Sequence, residues 1–118
     1  MIDRERAQAF ADSWYAAWNA HDLEAILEHY AGDVEVVSPL VAALAGREDS
    51  TIEGKDALRA YFAAGLERYP GLRFEPVDLF VGVDSVVLHY RSATGGLAAE
   101  VVFLDGDGKI RRYVAHYA

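Results

Sequence analysis

The sequence predicts an α+β domain, and two patterns lead to that prediction. In the first half, apolar residues recur at the three- and four-residue spacing of amphipathic helices. In the second half, short apolar runs are separated by turns rich in glycine and aspartate, which is typical of strands joined by hairpins. Because short turns join only antiparallel neighbours, we expect three N-terminal helices packed on an antiparallel sheet.

The composition supports one domain spanning residues 1–118, with 53% hydrophobic residues to form its core. A net charge of −8 argues against nucleic acids and anionic membranes as partners. The chain has no cysteine, which excludes disulfides and thiol chemistry. No apolar run approaches the roughly 18 residues of a membrane span, and the opening residues lack the apolar stretch of a secretion signal. We therefore expect a soluble, cytoplasmic protein.

The three predicted helices have recognisable ends. The first runs from about Asp3 to Asn19. Its apolar face contains Phe10, Trp14, Ala17 and Trp18. Asp22 is suited to cap the second helix, and Gly32 to end it. The buried stripe of that helix contains Leu23, Ile26, Leu27 and Tyr30. The third helix begins after Gly54 and is stopped by Pro70.

Five strands complete the prediction. They are Val34–Val37, Arg73–Leu79, Ser85–Ser92, Leu97–Leu104 and Ile110–Tyr117. The segment from Ser38 to about Ser50 is long for a connector, so we expect it to cover the rim of a site.

The strand Leu97–Leu104 is apolar at both its odd and its even positions. A sheet with one wet face would alternate apolar and polar residues, and the helices can cover only one face. We therefore expect the other face to pack against a second copy of the chain, as a homodimer.

Five segments then indicate a family. They are Trp14–Ile26, Tyr30–Val34, Val36–Pro39, Ile52–Leu58 and Leu104–Ile110. In this order and spacing they resemble nuclear transport factor 2-like domains, and within them the SnoaL-like branch. The resemblance implies a cone-shaped, cystatin-like fold, in which a strongly curved sheet and three helices enclose a pocket, and it implies frequent dimers. It does not specify a reaction, because this fold hosts isomerases, cyclases, dehydratases, epoxide hydrolases and proteins without known chemistry.

Ketosteroid isomerase is a distant member of the same group, and it uses an aspartate base with a tyrosine and a protonated aspartate as oxyanion donors. The resemblance places Ser38 at the position of the base, Trp14 at that of the tyrosine and Glu100 at that of the protonated acid. Serine is not basic at neutral pH and indole is a weaker donor than phenol. We therefore expect no steroid isomerisation by the usual mechanism.

Glu100 is the candidate proton carrier, because it is the one charged residue in an apolar strand. If it faces the interior of the cone, burial raises its pKa, and it can serve as an acid, a base or an oxyanion donor. The alternative is that it points outward and pairs with His89 or Arg91.

The candidate ligand-binding residues are mostly aromatic, and phenol or indole groups on an apolar wall suit a flat or cyclic molecule. They are Trp14, Trp18, Ser38, Leu40, Tyr61, Phe62, Tyr113 and Tyr117. Ser38 would help to orient the ligand, and Leu40 would lie at the open end of the cone with Val41 and Leu44. The alternative for the aromatic residues is simple core packing.

The histidines do not indicate a metal site. His21, His29, His89 and His116 lack the spacing of zinc ligands on a helix. We expect His21 in an exposed turn, His29 in solvent and His89 on the outer face of the sheet. No nucleophile set or phosphate-binding loop is present either, so the sequence predicts neither metal nor cofactor.

Three functions fit these features. The first is cofactor-free acid–base chemistry on an apolar, oxygenated cyclic molecule, of the isomerase, cyclase or lyase kind. The second is binding of such a molecule without turnover. The third is a structural dimer whose side chains fill the hollow.

Overall fold

Four helices cover one face of a six-stranded, curved sheet in the computed structural model, which describes all 118 residues. The helices are α1 (Arg4–Asn19), α2 (Leu23–Leu27), α3 (Val41–Ala45) and α4 (Lys55–Arg68). The strands are β1 (Tyr30–Val37), β2 (Thr51–Glu53), β3 (Glu75–Val81), β4 (Ser85–Arg91), β5 (Leu97–Leu104) and β6 (Ile110–Tyr117). This is the predicted α+β class, and none of the helices is both long and apolar enough to cross a membrane.

The strand order is β2-β1-β6-β5-β4-β3. The last four strands in the chain form an antiparallel series of hairpins, as predicted from their short turns. β1 joins this series parallel to β6, with Val36 opposite Tyr113. That pairing connects the two halves of the sequence and carries the residue after β1, Ser38, to the inner side of the sheet.

Helix α1 packs one buried face against the sheet. The Asp3 carboxylate caps it by accepting from the Arg6 amide at 2.8 Å. Its buried face contains Ala7, Ala11, Trp14, Tyr15, Ala17 and Trp18. The small alanines allow the helix to lie close to the sheet, and the aromatic residues pack into the core, where Trp18 lines the cavity described below.

The second helix is shorter than predicted. Asp22 caps it as expected, by accepting from the Ala25 amide at 3.1 Å, but it ends at Leu27. Tyr30 is the first residue of β1 rather than part of the helix, and Gly32 lies inside that strand rather than just past the end of the helix. The His29 carbonyl accepts from the Ile110 amide at 2.8 Å. The backbone therefore begins to pair with β6 as soon as the helix ends.

The segment between β1 and α4 is more ordered than a loop. It contains α3, whose Val41 is fully buried, and the short strand β2, which pairs with β1. Gly46 ends α3 in the left-handed region, at φ 65°. The predicted cover over the site is therefore a helical turn.

The inner face of the sheet combines large and small side chains. On β4 it presents Val86, Leu88 and Tyr90, and on β5 it presents Ala98, Glu100 and Val102. The opposite face is half-buried and largely apolar along the row formed by Val87, Val101 and Val114. Both faces of β5 are thus apolar, and the helices cover one of them.

Candidate functional site

A cavity of about 250 Å³ lies between the inner face of the sheet and helices α1, α3 and α4. Its lining comprises 16 residues, of which 12 are hydrophobic and none carries a charge. The polar groups on this wall are mainly hydroxyls of serine, threonine and tyrosine. Such a cavity suits an apolar molecule that is oriented by a few hydrogen bonds.

Seven of the predicted site residues line the cavity. They are Trp18, Ser38, Leu40, Tyr61, Phe62, Tyr113 and Tyr117. Leu44 also lines it, as expected for the rim, whereas Val41 is part of the core.

Trp14 was expected at the ligand, but the structure places it elsewhere. Its side chain is fully buried and does not line the cavity. Its Nε1 donates to the Tyr30 hydroxyl at 3.1 Å, and its ring stacks on Phe74 with centroids 5.7 Å apart. Trp14 therefore supports the cavity wall from behind, because helix α1 turns its indole toward the middle of the core.

Glu100 points toward the interior and is fully buried. This is the inward orientation, the first of the two that the sequence left open. Leu88 and Ala115 flank it on the neighbouring strands. It does not line the cavity itself. The Tyr90 hydroxyl, which belongs to a lining residue, donates to Glu100 Oε1 at 2.6 Å. The carboxyl thus stands one hydrogen bond behind the wall.

Burial raises the pKa of Glu100 from its usual range to about 8. The hydrogen bond from Tyr90 and the nearby phenol of Tyr113 favour the ionised carboxylate and partly oppose that rise in pKa. Burial, together with the nearby Glu100, also raises the pKa values of both phenols well above the usual range. At neutral pH the three groups therefore hold their protons for most of the time, and the carboxyl is the first to release one.

The second carboxyl oxygen of Glu100, Oε2, is buried without a hydrogen-bond partner, as is the Tyr15 hydroxyl. An unpartnered oxygen in an apolar interior stabilises an ionised carboxylate poorly. This environment keeps Glu100 a strong base once it is ionised.

Ser38 lies at the opposite side of the cavity, just beyond the end of β1. Its Oγ accepts from the Leu40 amide and from the Tyr61 hydroxyl, both at 3.2 Å. The hydroxyl proton of Ser38 makes no hydrogen bond within the structure. Ser38 thus faces the cavity as a donor.

Tyr90 was not among the predicted site residues, and neither were several other residues of the wall. They include Tyr69, Leu72, Phe74, Ser92, Ala93 and Thr94. Tyr90 pairs with Ala98, two residues before Glu100 on the same face of β5. Cross-strand neighbours on that diagonal are within reach of long side chains, so the correct strand register would have revealed the pair.

The histidines lie outside the cavity. His21 lies in a turn with a positive backbone φ of 55°. It is more than a turn residue, because its Nε2 lies 2.8 Å from the Leu72 carbonyl oxygen. His29 is half-buried against Ser13 rather than solvated, at 2.9 Å between Nε2 and Oγ. His89 lies on the outer face of the sheet, 3.4 Å from Asp78. No group of three or more histidine or acidic residues is placed to hold a metal ion.

The profile of the SnoaL-like domain matches residues 11–118, which is nearly the whole chain and includes every residue of the cavity described above. The chain belongs to the SnoaL-like domain family. Its fold is accordingly the nuclear transport factor 2-like fold that the resemblance implied. No curated protein is significantly similar to it.

Solved structures agree with this assignment. A SnoaL-like protein of unknown function from Burkholderia thailandensis is 44% identical, with a TM-score of 0.94 over 99% of this chain and 98% of that chain. A candidate isomerase of the SnoaL-like family from Agrobacterium tumefaciens is 22% identical, with a TM-score of 0.76 over 97% and 98%. IdmH, a candidate polyketide cyclase from Streptomyces antibioticus, is 17% identical, with a TM-score of 0.78 over 95% and 91%. The latter two demonstrate a shared fold.

Proposed function

We propose that this SnoaL-like domain binds a cyclic, oxygenated small molecule in its cavity, and that Tyr90 and Glu100 move a proton to or from it. The observation that carries the proposal is the 2.6 Å hydrogen bond from a cavity-lining phenol to a fully buried carboxyl. A carboxyl whose pKa is near the working pH is well suited to general acid–base catalysis. The reaction class is that of a cofactor-free isomerase, cyclase or lyase.

The proton transfer can be written through the two residues. Ionised Glu100 takes the proton of the Tyr90 hydroxyl at Oε1, while the Tyr90 oxygen takes a proton from a ligand carbon beside a carbonyl. The electron pair of the broken C–H bond then forms an enolate on the ligand. Return of the proton by the same route to another atom completes an isomerisation. For a cyclisation, the enolate carbon adds to a second carbonyl carbon of the same ligand, the C=O π pair moves to its oxygen, and the resulting alkoxide takes the proton back from Glu100 through Tyr90.

Hydrogen–deuterium exchange on a simple ketone tests this proposal without knowledge of the natural substrate. 2-Tetralone has two rings and acidic protons beside its carbonyl, and NMR follows their exchange in deuterated buffer. We expect the protein to accelerate exchange above the buffer rate, and the acceleration to rise with pH until Glu100 is ionised near pH 8. Glu100→Gln and Tyr90→Phe should each reduce it about a hundredfold or more.

Glu67→Gln is the matched control, because Glu67 is an exposed carboxyl on α4. It should exchange 2-tetralone at the wild-type rate. If Glu100→Gln binds the ketone and also exchanges it at the wild-type rate, the pair does not move the proton.

The second candidate function is binding without turnover, and the uncharged, largely apolar wall of the cavity favours it equally. Native mass spectrometry of the purified protein tests for a retained ligand. A retained ligand, together with exchange no faster than in buffer, would assign the domain to binding alone.

The neighbours named above as a candidate isomerase and a candidate polyketide cyclase support the general reaction class. Ketosteroid isomerisation is not part of the proposal. Ser38 replaces the base, and the fully buried Trp14 replaces the phenol donor. We expect no turnover of a 3-keto-Δ5 steroid above the buffer rate.

We also propose a homodimer formed through the outer face of the sheet. Its support is the half-buried apolar row of Val87, Val101 and Val114, which no helix of the same chain covers. The cytoplasmic location expected from the sequence stays a prediction.

A further inference from the structure

The hydrogen bonds of Ser38 indicate which chemical group the ligand presents to it. A serine oxygen has two lone pairs and one proton. Both lone pairs of Ser38 are in use, one for the Leu40 amide and one for the Tyr61 hydroxyl. What Ser38 has left is its proton, so a ligand atom that binds there has to be an acceptor. The two hydrogen bonds that it accepts also polarise its O–H bond and make it a better donor.

Tyr117 provides a second hydroxyl at this end of the cavity, and it also lines the wall. That hydroxyl carries its own proton, since burial and Glu100 raise the pKa of Tyr117 above the usual range. A ligand carbonyl oxygen has two lone pairs, so it can accept from Ser38 and from Tyr117 together. This end of the cavity therefore suits a ligand acceptor.

The residues that line the cavity indicate the charge of the ligand. None of the lining residues is charged, and the chain carries a net charge of −8. Glu100, one hydrogen bond behind Tyr90, repels an anion whenever it is ionised. Transfer of a charged group into such an apolar cavity without a partner is costly, so a neutral ligand is favoured.

The size of the ligand follows from the volume. A cavity of about 150 Å³ holds one benzene ring, and drug-sized ligands occupy roughly 300–1,000 Å³. At about 250 Å³ this cavity fits one or two fused rings. The Ser38 and Tyr90 main chains are separated by β6 and β5, which is three strand spacings or roughly 14 Å, and the Tyr90 side chain takes up part of that span.

We propose that the ligand is a neutral one- or two-ring ketone or related carbonyl compound, and that Ser38 is the binding residue that fixes its carbonyl oxygen. This inference rests on the proposed function for the location of the site. It assigns the oxygen to the Ser38 side and the reacting carbon to the Tyr90 side. The resemblance to ketosteroid isomerase places that enzyme's base at the position of Ser38 and its oxyanion donors near Glu100. In this proposal the carbonyl oxygen binds at Ser38 and the base lies at Glu100, so the two ends have the opposite roles.

Binding equilibria of four probes test the proposal, measured by calorimetry on the full chain. 2-Tetralone has the predicted carbonyl, tetralin is the same framework without oxygen, 2-naphthoate carries a charge, and a four-ring steroid ketone exceeds the volume. We expect 2-tetralone to bind at least tenfold more tightly than each of the others. Ser38→Ala should remove most of the advantage over tetralin and leave the affinity for tetralin unchanged.

Ser50→Ala is the matched control, because Ser50 is exposed and lies in the same segment. It should retain the full advantage of the ketone. Ser38→Ala also leaves two donors without an acceptor, so the variant can lose stability. The carbonyl stretching frequency of bound, carbon-13-labelled 2-tetralone therefore provides a second measurement. It should be lower in wild type and in Ser38→Thr than for the ketone in an apolar solvent.

Each outcome separates this inference from the proposed function. Equal affinities for 2-tetralone and tetralin in wild type, or an unshifted stretching frequency, overturn the role of Ser38 even if Glu100 drives exchange. Tight binding of 2-naphthoate overturns the neutral class, and tight binding of the steroid ketone overturns the size. Binding through Ser38 without exchange leaves this inference standing and removes the proton transfer.

Discussion

Glu100 couples the stability of the fold to pH. Its pKa is about 8 in the folded protein and close to its usual value of 4.5 in an unfolded chain. Between these values the folded state holds a proton that the unfolded state has lost. The contribution of Glu100 is therefore fully present below about pH 4.5 and is lost as the pH rises through about 8.

We predict that Glu100→Gln removes this pH dependence. Glutamine is similar in shape and uncharged, so the variant should lose little stability between pH 5 and 8. Over the same range the wild type should lose several kcal/mol of unfolding free energy, on the order of 1.4 kcal/mol for each unit of pKa difference. Urea unfolding at a series of pH values measures the free energy. Glu67→Gln should follow the wild-type curve, and parallel curves for wild type and Glu100→Gln would contradict the raised pKa.

The sequence identified the buried acid but not its partner. Glu100 was detectable because one charge in an apolar strand needs an explanation. Tyr90 was not, because its role depends on the register between β4 and β5, and alternation within one strand does not determine register. Trp14 was misplaced for a related reason. Periodicity puts a side chain on a face of the helix, but it does not distinguish a cavity wall from the layer behind it.

At the scale of elements, the end of α1 fixes the segment that connects α4 to β3. The Asn19 side chain donates to the Phe74 carbonyl at 3.0 Å and accepts from the Phe74 amide at 2.7 Å. Phe74 lines the cavity, as does Leu72, whose carbonyl oxygen lies 2.8 Å from the His21 ring. The last residue of α1, Asn19, and His21 just after it therefore position part of the cavity wall.

We predict that Asn19→Ala destabilises the protein by roughly 1–3 kcal/mol, because it leaves a backbone amide and a carbonyl without partners in a half-buried position. Urea unfolding measures the change. Gln8→Ala removes an exposed amide from the same helix and should cost much less. Equal losses in the two variants would indicate that Asn19 matters only for the helix.

Local sequence signals predicted the elements better than their boundaries. The cap at Asp22 marked the start of α2 correctly, but the apolar spacing through Tyr30 extended the helix too far. The same spacing is compatible with a helix followed directly by a buried strand. The pairing of Tyr30 with Ile110 in β6 decides between them, and it joins residues far apart in the chain. The three-residue strand β2 and the short helix α3 are below the length at which periodicity is informative.

At the scale of the whole molecule, the uncovered face of the sheet predicts self-association. We expect light scattering at micromolar concentration to give twice the monomer mass of 13.0 kDa. Val101→Lys should shift the mass toward the monomer, because it places a charge in the middle of the apolar row. Val83→Lys is the control, since Val83 is exposed in a turn away from that row. A wild-type mass of 13.0 kDa would reject the dimer.

The position of the carboxyl behind Tyr90 has a consequence for how such a protein can diversify. Under the proposed function, selectivity depends on the side chains that line the cavity, whereas reactivity depends on Glu100 in the layer behind them. Substitutions at the rim, such as at Leu40 or Leu44, can alter which molecules enter without disturbing the acid. The pair of Glu100 and Tyr90 can thus be kept during evolution while the set of ligands that the cavity accepts changes.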